Sequence, residues 1–141
     1  MQVSVSEFLE KVGKLKRTQE KVDALKANDS YVLRVILQGA FDPTVKWMLP
    51  EGEPPYKPND LTDQEHVLIN EARKILYFVE GFYDNLTTNK REQMFIELLE
   101  RVDPKDAKLL CSIKDKKLPF NGITINHVKD AFPGMIQNEQ I

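Results

Sequence analysis

Apolar residues return every three or four positions along this chain, and a small polar residue stands before most of the runs. That rhythm restricts the fold to packed helices. Ser4 and Glu7 have capping-box spacing, followed by Val5, Phe8, Leu9 and Val12. Thr18 opens a second short helix with Val22 and Leu25, closing near Asn28. A third runs from about Ser30 to Gly39. Its Val32, Leu33, Val35, Ile36 and Leu37 are nearly continuous and largely β-branched, so a strand competes; the helical surroundings favour a buried helix.

The second half repeats the rhythm. Thr62 and Glu65 pair as a capping box before Leu68, Ala72, Ile75, Leu76 and Val79. Thr88 or Asn89 caps a helix carrying Met94, Phe95, Leu98, Leu99 and Val102. Asp103-Pro104 sets a capping acid before a first-turn proline, and Leu109, Leu110 and Ile113 then face inward with Cys111 as an inert buried thiol. After a turn over 118–122, Thr124 caps a last helix with Ile125, Val128 and Phe132, which stops at Pro133-Gly134. The expected fold is all-α, a compact bundle of about seven helices in a single domain over residues 1–141.

One stretch breaks the pattern. Five of the eight prolines (Pro43, Pro50, Pro54, Pro55, Pro58) fall within residues 40–60, where each stops a helix. Val45, Trp47, Met48, Leu49 and Tyr56 suggest a segment laid across the bundle, with Trp47 as a core anchor. A domain boundary there would leave about 40 residues to build a core alone, too few.

Catalytic equipment is missing from the pattern. His66, His127 and Cys111 lie in separate segments and do not make a zinc set. There is no glycine-rich phosphate loop and no serine in a nucleophile elbow. The expectation is a non-enzyme without cofactor. No apolar run reaches the roughly 20 residues of a membrane span. The start, Met1 to Glu7, has no leader character, and a single cysteine suits a reducing compartment, so a cytoplasmic protein is expected.

Charge is unevenly placed. Residues 59–103 carry 5 Lys+Arg against 10 Asp+Glu, whereas residues 105–129 carry 6 Lys against 2 Asp, within a net charge of −2. Such a molecule can meet phosphate with one face and repel it with another. Helix starts beside cations sharpen the idea, because unpaired backbone N–H groups and the helix dipole favour anions. Thr87-Thr88-Asn89-Lys90-Arg91 is one such start, and Asn121-Gly122-Ile123-Thr124, after Lys114, Lys116 and Lys117, is another.

Gly122-Ile123-Thr124-Ile125-Asn126-His127-Val128-Lys129-Asp130-Ala131-Phe132-Pro133-Gly134-Met135-Ile136 resembles the closing motif of the N-terminal DNA-binding domain of phage-type ATP-dependent DNA ligases. Leu86 to Arg91 is similar to that family's Thr-Gly-Asn helix start, with Thr88 where the glycine would stand. The Asp103-Pro104 helix opening, and Asn28 to Leu33 followed by Ala40-Phe41-Asp42-Pro43, add to the likeness, which spans roughly 28–136. Small proteins of T-even-like phages look similar too. The resemblance implies an all-helical module gripping duplex DNA through helix starts and basic side chains. The contacts it implies are Thr88, Asn89 and Lys90 at one start and Gly122, Thr124 and Asn126 at the other. The neighbouring cations Arg91, Lys116, Lys117 and Lys129, the last where the family often has asparagine, are expected to meet phosphates beside them. A ligase needs Lys-x-Asp-Gly to form its lysine–AMP adduct, and no Asp-Gly pair occurs. The expected partner is duplex DNA, bound weakly along its backbone. The alternative is another phage or host protein, met by a module that kept the fold and lost the DNA.

Overall fold

The computed structural model describes residues 3–136. Met1 and Gln2, part of the start read as lacking a leader, lie outside them. Seven α-helices follow in order: α1 (Val5–Gly13), α2 (Thr18–Ala27), α3 (Tyr31–Phe41), α4 (Val67–Glu71), α5 (Thr88–Arg101), α6 (Pro104–Ile113) and α7 (Ile125–Ala131). A 3-10 helix, Ala72–Phe78, continues α4. Among the described residues the only extended pairing is an isolated antiparallel bridge between Trp47 and Val79. The fold is all-α.

Several helix starts form as their residues dictate. Ser4 Oγ accepts from Glu7 N at 3.1 Å while Ser4 N donates to Glu7 Oε1 at 3.5 Å, closing the capping box of α1. Ser30 Oγ accepts from Leu33 N at 3.2 Å, and the apolar run behind it is a helix, not a strand. Its near-continuous apolarity reflects burial on several sides: Val32, Leu33, Ile36, Leu37 and Ala40 are all buried. Asp103 Oδ1 accepts from Lys105 N at 2.8 Å, with Pro104 in the first turn of α6.

Other starts differ. The Thr62–Glu65 box does not open a helix. Asn59 Oδ1 captures Leu61 N at 2.9 Å, and Asp63 takes a φ of 57°, which breaks helical geometry. The helix begins only at Val67 and soon tightens into the 3-10 turn, whose end pairs with the proline-rich segment through Met48 N to Phe78 O (2.7 Å) and Glu80 N to Lys46 O (2.8 Å). Thr87, not Thr88 or Asn89, caps α5, accepting from Lys90 N at 3.1 Å. Arg17 occupies the cap of α2, where Glu20 Oε1 accepts its N–H at 3.2 Å; Thr18 is the first helical residue. At α7 the start is closed by His127, whose Nδ1 accepts from Thr124 N at 3.0 Å.

One cluster of buried apolar side chains extends from Val5 to Ile136, with Leu9, Leu25, Ile36, Leu37, Leu98 and Leu110 among its fully enclosed members. The proline-rich segment packs on it as expected. Trp47 lies against the core, and its Nε1 donates to Gly39 O at 3.0 Å. Cys111 is a free, buried thiol, and burial pushes it up to about 11, away from the reactive thiolate. No helix among the described residues is long and apolar enough to cross a membrane.

Candidate nucleic-acid interface

The candidate contacts separate into exposed and committed groups. Thr88, Asn89 and Lys90 are exposed at the start of α5. Arg91, one residue on, is 3% exposed. Its Nε donates to Tyr77 O at 3.0 Å and a terminal nitrogen donates to Tyr83 O at 2.9 Å. The guanidinium thus joins α5 to the end of the 3-10 helix instead of facing a ligand.

Lys116 is committed as well. Its Nζ donates to Gly39 O at 3.0 Å and to Asp42 O at 2.7 Å, adding a second donor to carbonyls at the end of α3 that already accept from Trp47 Nε1 and Val45 N. Burial of its amino group lowers its pKa, although the residue as a whole is exposed. Lys117 is exposed. Lys114, whose side chain is 2% exposed, is enclosed between Pro50 O and Asp115 Oδ1, both at 2.9 Å.

Gly122 has a structural reason for being glycine. Its φ is 108°, and a Cβ there would strike the backbone of Gly13. The two backbones touch, and Lys21 Nζ donates to Gly122 O at 2.5 Å. This junction lays the α1–α2 turn beside the start of α7, where Thr124, Asn126 and Lys129 are exposed. The starts of α5 and α7 belong to separate helix pairs: α5 packs on α6 and the 3-10 helix, whereas α7 packs on α2.

The junction adds residues beyond the sequence-predicted contacts. Lys14, Lys16 and Arg17 are exposed on the α1–α2 turn, next to the bridging Lys21. Among the described residues only Lys14 of these side chains pairs with a carboxylate, Glu10 at 3.8 Å across one helical turn, a wet and weak pair. Their signal was present in composition, since residues 11–21 hold 5 Lys+Arg against 1 Glu. What composition could not supply is the junction that joins them to Thr124 and Asn126.

A cationic turn against an exposed helix start can hold phosphate oxygens by charge and by N–H donation. Among the described residues no group of three or more His, Cys, Asp or Glu could hold a metal ion. No curated protein and no solved structure matches the chain. Residues 8–119, most of its length, match the family described as "Family of unknown function (DUF6433)", and the chain belongs to that family.

Proposed function

We infer that this protein is a non-catalytic module that binds duplex DNA along its phosphate backbone. The observation that carries the reading is the Gly13–Gly122 junction, which brings the α1–α2 turn, with Lys14, Lys16 and Arg17, to the residues just before Thr124, while Lys21 bonds to Gly122 O. Lys117 and Lys129 extend the cationic character, and Thr88, Asn89 and Lys90 form a second exposed start. The resemblance to the ligase DNA-binding domain supports the same reading, as does the likeness to small phage proteins; a phage-encoded module of this kind would work in the host cytoplasm. Phosphates are neutralised by point charges and backbone donors, so base preference is slight. Fluorescence titration against intact, nicked and single-stranded DNA at two salt concentrations tests the proposal. Saturable, salt-sensitive binding of intact duplex supports it; no duplex binding at low salt removes it.

A second reading is a protein-interaction module, a host-modulating phage protein that kept the fold and lost DNA binding. Phe82 (58% exposed) and Tyr83 (46% exposed) favour it, because they stand within the acidic stretch 59–103. Failure to bind any DNA, with a protein partner lost on Phe82→Ser, would establish this reading over the first.

A further inference from the structure

The proline-rich segment is strapped over α5 and α6 by polar tethers. Gly52 N donates to Asp115 Oδ2 at 3.1 Å, Lys57 N to Glu100 Oε2 at 2.8 Å, and Lys108 Nζ meets Glu53 Oε2 at 2.8 Å. Between strap and helices lies a cleft of about 340 Å3. Leu49, Pro54, Phe95 and Ile96 are among its apolar lining residues, and Glu51, Glu53 and Glu92 also line it. The one cation in the lining, Lys114, is already neutralised by Asp115. Among the described residues neither Glu51 nor Glu92 makes an ion pair or a side-chain hydrogen bond, whereas Glu53 is balanced by Lys108. The lining therefore combines apolar surface with two carboxylates without ion pairs.

That combination selects its occupant. An anion is repelled, and a wholly apolar ligand would strip water from carboxylates without replacing it. An apolar side chain flanked by Lys or Arg meets the apolar lining and pairs the carboxylates. We propose that this cleft docks a basic segment of a partner protein, inserting one apolar side chain between cations. The proposal uses other residues and the opposite charge from the DNA surface, so either stands without the other.

The test is fluorescence anisotropy of the full chain with a labelled Arg-Lys-Leu-Lys-Leu-Arg-Lys peptide and its analogue carrying Glu at every cationic position. The basic peptide is expected to bind saturably and more weakly as salt rises, the acidic one not at all. Glu51→Gln with Glu92→Gln is expected to weaken binding about fivefold, consistent with the loss of two lining charges. Ile96→Ser is expected to weaken it independently of salt, with circular dichroism checking the fold. Equal binding of the acidic peptide, no binding of the basic one at millimolar protein, or unchanged affinity in the double Gln variant would overturn the proposal. So would self-association of the chain that the double Gln variant abolishes, which would make a second copy, through its Lys14-Leu15-Lys16-Arg17 turn, the occupant.

Discussion

Gly13 and Gly122 touch backbone to backbone, 109 positions apart in the chain, and the contact leaves no room for a Cβ on either residue. At Gly13 a Cβ would lie 2.6 Å from Asn121 O. Gly122 adds a φ of 108°, so a side chain there meets strain as well as overlap. Gly122→Val is expected to cost about 2–4 kcal/mol, combining backbone strain with overpacking. Gly52 has a φ of 92° with nothing near its Cβ, so Gly52→Ala isolates the strain and is expected to cost only about 1 kcal/mol. Urea unfolding of the two variants separates the contributions.

Gly13→Ala carries a sharper sign. Alanine normally stabilises a helix over glycine by about 1 kcal/mol. Here it should destabilise the protein, because Asn121 O occupies the space. A rise in melting temperature would mean that the junction is looser than described.

A second long-range tie links Asp106 on α6 to the first turn of α1, where Asp106 Oδ1 accepts from Ser6 N at 2.8 Å. The side chain is fully buried, and Oδ2 has no hydrogen-bond partner among the described residues. Burial pushes this carboxyl up to about 7, aided by the charges of Asp103 and Glu7 and opposed by the Ser6 N–H. Its folded pKa lies above the unfolded value, so the native state binds the extra proton between about pH 4 and 7. Stability therefore falls as pH rises through that window. Asp106→Asn mimics the neutral acid and should flatten the dependence. At pH 8 the variant is expected to exceed wild type by on the order of 2–4 kcal/mol, while near pH 4 the two converge. Glu7 and Glu71 have depressed pKa values and lose stability as pH falls through the acid range, a contribution that cancels between variant and wild type. Chemical denaturation at a series of pH values measures the difference.

Lys116 and Lys117 are neighbours with different tasks. Lys116→Ala removes two hydrogen bonds from the end of α3 and is expected to cost about 1–3 kcal/mol. Lys117→Ala, on an exposed side chain, should stay within about 0.5 kcal/mol. Equal costs in thermal unfolding would contradict the structural role of Lys116.

These cases show what a local reading can and cannot reach. The Ser4–Glu7 box and Asp103-Pro104 are legible because each needs only residues within one turn. Thr62 and Glu65 have the same spacing but lose to Asn59 and Asp63, whose local turn competes for the backbone. Arg91, Lys114 and Lys116 look like free cations in sequence. Each is committed to carbonyls between 8 and 77 positions away, and spacing carries no trace of such partners. The candidate surface was legible as residue types at the start of α7. The cationic α1–α2 turn joins it only through the Gly13–Gly122 contact.

Charge reversal on that turn, read as a salt titration, bears most directly on DNA binding. Lys16→Glu with Arg17→Glu leaves the core untouched, since both side chains are exposed. Log affinity for an intact duplex should fall linearly with log salt, by about 0.9 per phosphate neutralised, with micromolar-range binding typical of backbone contacts. In the double variant the slope should become shallower by roughly 2, and affinity should drop about equally on unrelated duplex sequences. Circular dichroism should remain that of the wild type. A wild-type slope near zero, or a double variant that keeps both affinity and slope, would contradict a phosphate-binding surface at the α1–α2 turn.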